Sequence, residues 1–147
     1  MDPSIVAENS ETRARLAALV SPLGEAELER SVGDGWTVAL VLAHLAFWDR
    51  RAALMLGRWQ LGHVPPAAEP EWSSDWLNDS LVDEWRALSA REAARLALAA
   101  AETVDRAVEN VAAGVAEAIL ARGERWRLAR SIHRQEHIEQ IARALHG

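Results

Sequence analysis

The 147-residue chain has no cysteine, no lysine and no tyrosine, and a single phenylalanine. Without cysteine there is no disulfide, no thiolate metal ligand and no cysteine nucleophile, which fits a reducing cytoplasm as the expected location. Without lysine there is no Schiff base and no amine general base. Every basic residue other than histidine is arginine, the mark of a bias toward GC-rich codons. Long apolar runs are lacking too. The longest, Trp36 to Trp48, is too short to span a bilayer and carries His44, so no membrane is expected. Met1-Asp2-Pro3-Ser4 has no basic region followed by an apolar stretch, so no signal peptide is expected. A formal charge of −6 argues against nucleic acid, whose phosphates are neutralised by basic side chains.

What is present is helix-forming. Alanine and leucine dominate, half the residues are hydrophobic and 26% are charged, a composition that buries a core rather than staying disordered. One domain over residues 1–147 is expected. Pro3 and Ser4 open a first helix that Pro22 and Gly24 close, with Ile5, Leu16, Leu19 and Val20 as its stripe. A short segment, Glu25 to Arg30, precedes the turn signal Gly33-Asp34-Gly35. Trp36 and Thr37 begin a second helix, capped by Thr37 and running to about Gln60. Residues Gly62 to Trp76 read as a long loop broken by Pro65, Pro66 and Pro70, with Trp72 and Trp76 folded back on the protein or walling a pocket. Asn78 or Asp79 caps a third helix to about Ala113, with a kink or restart at the capping-box sequence Ser89-Ala90-Arg91-Glu92. Gly114 and Gly123 bracket a connecting piece, and the fourth helix runs from about Glu124 to Leu145. Four helices with moderate connections point to an all-α antiparallel bundle.

The chemistry concentrates in His133-Arg134-Gln135-Glu136-His137. Imidazoles four apart on a helix lie one turn above each other and can share one ion. On a helical wheel Trp126, Ala129, His133, Glu136, His137, Gln140 and Ala144 share one face, with Arg127, Arg130, Arg134 and Arg143 mostly outside it. Polar groups in the middle of an inward face are costly unless bonded or bound to something. His44 lies in the apolar half of the second helix, where Leu40, Val41, Phe47, Trp48 and Arg51 share its side. Two histidines from one helix and one from another is a recurrent way for a bundle to hold a metal. Such a site on His44, His133 and His137 keeps an open coordination position, as catalytic sites do, and Zn²⁺ suits it. Glu136 is the candidate general base, against a helix ion pair with Arg134 or Arg143. Gln140 could orient a ligand. Arg51 could hold an anionic group, against a surface salt bridge. His63 reads as a loop histidine, and His146 has no role. The letters also match the inverted zinc-protease pattern H-x-x-E-H, but that needs a downstream ligand, and the ten residues after His137 offer only Glu139, which faces away. Ile138, Ala142 and Leu145 form a second stripe, packed by a neighbouring helix or by a second subunit, so a homodimer is favoured.

The segment Gly35-Trp36-Thr37 through His44-Leu45 to Trp48, taken with His133-x-x-Glu136-His137-Ile138-x-Gln140-Ile141, resembles the DinB-like superfamily over nearly the whole chain. That superfamily includes YfiT-like metal-dependent hydrolases and the N-terminal domain of mycothiol-dependent maleylpyruvate isomerase. The resemblance implies a four-helix bundle in up-down-down-up order, often a homodimer. It implies a divalent metal, commonly Zn or Ni, on three histidines that map to His44, His133 and His137. It further implies thiol transfer or isomerisation with a low-molecular-weight thiol such as mycothiol or bacillithiol, or hydrolysis. A chain with no cysteine would take its thiol as a cosubstrate. No counterpart of the isomerase's second domain is expected within these 147 residues. The expected function is a metal-dependent enzyme that activates a thiol or water for attack on a small electrophile, with Glu136 catalytic and Trp48, Arg51 and Gln140 in the substrate pocket. The alternative is a non-catalytic module that sequesters a small molecule between Trp36, Trp48, Trp72, Trp76 and Trp126.

Overall fold

Among the described residues, 1–67 and 70–147 of a computed structural model, the chain is mostly helical, with one two-stranded ladder. Helix α1 spans Pro3–Val20, with Pro3 in its first turn and the Asp2 carboxylate accepting from the Ser4 amide at 2.8 Å. Helix α2 is Glu25–Leu28. Strands β1 (Ser31–Gly33) and β2 (Trp36–Thr37) pair antiparallel around the expected turn, where Gly33, Asp34 and Gly35 take φ of 104°, 53° and 78°. Glycine at two of these positions removes the Cβ clash, and aspartate tolerates the third. Trp36 is therefore a strand residue rather than the start of a helix. The turn sets its ring 5.7 Å from that of His44. Thr37 caps α3 (Val38–Gln60) as expected, its hydroxyl accepting from the Leu40 amide at 3.1 Å.

The expected third helix is two. Helix α4 is Glu71–Ala87 and α5 is Ala90–Glu109, separated by an extended Leu88 (ψ 142°). The Ser89 hydroxyl caps α5 by accepting from the Glu92 amide, while the Glu92 carboxylate turns to Arg95 instead of closing a capping box. The predicted loop from Gly62 ends at Pro70, the cap residue of α4; its residues 68 and 69 lie outside those described. Trp72 and Trp76 are therefore helical. They are 62% and 64% exposed and packed on each other 5.8 Å apart, neither folded back nor lining the cavity described below. A proline at a helix start has no amide to lose, so Pro70 begins what it was expected to interrupt. Helix α6 is Ala113–Ala121. The expected fourth helix is interrupted as well: Arg125–Arg127 form a 3₁₀ turn, and α7 begins at Ser131 and ends at His146.

Helices α3 and α5 form the most extensive contact, α1 packs on α5 and α7, and α4 and α7 each pack on α3. Ala93, Ala97, Ala100 and Ala101 form the buried face of α5, small enough to let α3 approach closely. One apolar cluster joins Leu16, Leu42, Leu45, Ala97 and Ile141; a second joins Leu56, Trp59, Ile119 and Leu128. Ile138 is buried in the first of these, and Leu145 packs against it. Two of the three residues of the second α7 stripe, Ile138 and Leu145, thus pack on their own chain. Among the described residues no helix is long and apolar enough to cross a membrane.

Candidate metal centre

Three helical segments meet at His44. It points from the buried half of α3, 6% exposed, toward the first two turns of α7. Its Nε2 lies 3.1 Å from Nε2 of His133 and 3.2 Å from Nε2 of His137, and the latter two atoms are 3.1 Å apart. The four-residue spacing on α7 stacks His133 and His137 as expected, and the packing of α7 on α3 brings them to His44.

One proton of this triangle can be located. The Trp48 Nε1–H donates to Oδ1 of Asn78 at 2.8 Å, and an indole nitrogen can only donate, so that atom is the amide oxygen. The same oxygen is 3.2 Å from Nδ1 of His44, which must then carry a hydrogen. His44 Nε2 is left with a bare lone pair, facing Nε2 of both other histidines. Nδ1 of His137 lies 2.8 Å from Oε1 of Gln140, and a hydrogen on that Nδ1 leaves its Nε2 bare as well. A proton on His44 or His133 is disfavoured. Burial, then the neighbouring His137, lowers the His44 pKa to about 4. Burial, with His137, His44, Arg130 and Arg134 adding to it, lowers His133 to about 2. Nitrogen ligands about 2.0–2.1 Å from one tetrahedral ion lie ~3.3 Å from each other. The three side chains therefore fit a shared divalent cation in spacing, tautomer and charge, and together they could hold a metal ion.

Asn78 and Gln140 fix the ring nitrogens that face away from the centre, the usual task of groups behind a metal ligand. Gln140 thus bears on His137 and is not among the residues lining the cavity. Asn78, expected as a helix cap, lies inside α4 and serves His44 instead. Its oxygen shows its use only once α4 is packed on α3.

The triangle opens on a cavity of about 780 Å³ between α3, α4, the start of α7 and the residue 63–67 segment. His44, His133, Trp48, Arg51, Trp126 and Glu136 line it, and so does His63. Glu136 is exposed and has no ion pair with Arg134 or Arg143 among the described residues. Arg51 forms no salt bridge there either; its guanidinium lies over the Trp48 ring, 5.4 Å from the centroid.

The arginines placed mostly outside the inward face include three that are buried. Arg134 is 1% exposed, and Arg127 and Arg130 are 5%. Arg134 donates to both oxygens of Asp105 (2.9 and 3.2 Å), to Asp49 (3.3 Å) and to the Asn9 carbonyl (2.9 Å). Arg130 donates to the other oxygen of Asp49 at 3.0 Å, and Arg127 pairs with Glu124. The Asn9 side chain accepts from the Ser131 amide at 3.0 Å, tying α1 to the first turn of α7. The available signals were single polar residues, Asn9, Asp49 and Asp105, inside apolar helical stripes.

Comparison with curated proteins and with solved structures finds no match. The family model described as the mycothiol maleylpyruvate isomerase N-terminal domain matches residues 10–136, which include His44, His133 and Glu136 and stop one residue short of His137. With most of its length matched, the chain belongs to the mycothiol maleylpyruvate isomerase N-terminal domain family, a member of the DinB-like superfamily.

Proposed function

We propose that this chain is a divalent-metal-dependent enzyme in which His44, His133 and His137 hold the ion. The observation that carries this reading is the triangle of Nε2 atoms of His44, His133 and His137, 3.1–3.2 Å apart beside a cavity. An ion there would supply Lewis acidity, lowering the pKa of a bound water or thiol so that a nucleophile exists at neutral pH. The family supports a small-molecule thiol in that role, and a chain without cysteine must take it from solution. We read the reaction as transfer of that thiol to a small electrophile, with hydrolysis as the variant in which water attacks. We read the scaffold as a DinB-type bundle of α1, α3, α5 and α7 in up-down-down-up order.

The chain's own groups divide the remaining work. Asn78 and Gln140 hold the ligand tautomers. Glu136, unpaired at the cavity wall, takes the proton that the nucleophile gives up. Trp48 and Arg51 flank the substrate.

Metal analysis of untagged protein decides the first step. Wild type should carry about one equivalent of Zn or Ni, and His137→Ala should lose it. Metal-free wild type with no affinity for either ion would overturn the reading and leave a module that only sequesters small molecules. Glu136→Gln should keep the metal and lose turnover in thiol-transfer or ester-hydrolysis assays; unchanged turnover would remove the base role.

A further inference from the structure

Helix α3 runs along the whole cavity, and it presents an ordered stripe to it. His44, Trp48, Arg51, Met55 and Arg58 follow at spacings of four, three, four and three, the repeat of one helical face, and all five line the cavity. At 1.5 Å rise per residue, Arg51 lies about 10 Å and Arg58 about 20 Å along the axis from His44. Helical side chains tend to lean toward the helix N-terminus, and the Arg51 guanidinium does so, lying over Trp48 three residues earlier on the side of the histidines.

The charges in this cavity are unequal. Arg127 and Arg130 also line it, but Glu124 and Asp49 neutralise them. Arg51 and Arg58 have no carboxylate partner among the described residues, and Glu136 is the one acidic side chain among the lining residues described. An acidic chain with a net charge of −6 thus keeps two uncommitted cations in this cavity. Trp48 carries the first of them and is itself fixed to Asn78 by the bond that orients His44. Apolar parts of the lining, Leu54 on α3 itself and Trp126 and Ile132 outside it, are left partly bare: Leu54 is 59% exposed, Ile132 64% and Trp126 44%. Unpaired cations beside bare apolar walls match a ligand that has a chain to cover the walls and one acid group to meet the cations.

We propose that this cavity binds an elongated monoanion, its acid group held by Arg51 and Arg58 and its apolar chain lying on Leu54, Trp126 and Ile132. The other end of the ligand then reaches the three histidines. The inference rests on the proposed metal site only for the identity of that reacting end; the anion subsite is a property of the arginines and exists without metal.

The test uses the full chain freed of metal by a chelator, with linear alkanoates as probes and calorimetric titration as the readout. Octanoate should bind at least tenfold more tightly than octanamide, since one charge-assisted contact contributes on that scale. The preference should shrink to about threefold or less in an Arg51→Gln, Arg58→Gln variant whose thermal midpoint matches wild type. Equal binding of acid and amide by wild type, or an undiminished preference in the variant, would overturn the proposal. Butyrate should bind more weakly than octanoate; equal affinity would remove the elongated chain. With metal restored, an ω-mercaptooctanoate should gain affinity over octanoate, and no gain in protein that holds the metal would refute a ligand spanning both ends. If wild type takes up no metal, the reading of the histidines fails, while the octanoate comparison still decides the anion subsite.

Discussion

Helix α7 carries two polar constellations, one residue apart in sequence and opposite in physical character. Arg134 is sealed from solvent, and its charge is met twice over by Asp49 and Asp105. His133 and His137, on the adjoining face, turn their Nε2 atoms on each other and on His44, where three ring nitrogens, each carrying at most one proton, meet without a carboxylate. A buried charge met by carboxylates of its own chain is part of the structure, even with Arg134 Nε left without an acceptor. A cluster of imidazole nitrogens is suited to a cation. The helix thus has a fixed side and a working side, and the first holds the second in register. Arg134 ties α7 to Asp49 on α3 and Asp105 on α5, while Asn9 on α1 ties down its first turn.

The comparison breaks most violently if the fixed side is cut. Arg134→Ala would leave Asp49 and Asp105 short of a partner at 3% and 5% exposure, and should cost about 3–5 kcal/mol in urea unfolding. His137→Ala should change the stability of the metal-free protein by no more than about 1 kcal/mol, because it relieves a repulsion as it removes contacts. A reversal of that order would mean that the two sides have been assigned wrongly.

Acid provides the next effect. The unfolded chain takes up protons on His44 and His133 below about 6.5, while the folded pKa values are near 4 and 2. The unfolded state then binds more protons, so stability falls as pH drops through this window, on the order of 3 kcal/mol for His44 by pH 4. Asp105 works in the opposite sense, since burial raises its carboxyl even against the pull of Arg134. Metal-free protein should show the loss in urea midpoints between pH 7 and pH 4, with the slope reduced in His133→Gln. A slope unchanged by that substitution would assign the acid sensitivity elsewhere.

The working side was legible in the sequence for a definite reason. His133 and His137 are related by helical spacing, a local property, and His44 sat conspicuously in an apolar run. The fixed side was not. Arg130 and Arg134, placed by periodicity mostly outside the inward face, are buried here, because their partners come from α1, α3 and α5, and no local pattern reports a tertiary ion pair. Helix ends divided in the same way. Thr37 and Ser89 cap where their hydroxyls find amides three residues on, which the sequence displays. Pro70 was taken as a breaker, though proline starts a helix as readily as it stops one. The interruption between Arg127 and Ser131 follows from Arg130 and Ser131 turning inward to Asp49 and Asn9, partners that lie far away in the chain.

Smaller effects test how the working side is aimed. Asn78→Ala removes the acceptor behind His44 without touching the triangle, and should weaken metal affinity by 10–100-fold with little change in fold. Trp48→Phe is subtler still. It keeps an aromatic ring near His44 and deletes only the N–H that fixes the Asn78 oxygen. Released, the amide can rotate and offer its NH₂ to His44, which would then favour the tautomer with hydrogen on Nε2, the one that cannot bind a metal. The population lost is a ratio of two tautomers separated by roughly one hydrogen bond, about 1 kcal/mol, so affinity should fall several-fold rather than by orders of magnitude. Nitrogen NMR of the labelled imidazoles in metal-free protein would read the tautomers directly. Nδ1–H on His44 in wild type and a mixture in Trp48→Phe is the expected result. A single tautomer in both would show that Asn78 is held by something other than the indole.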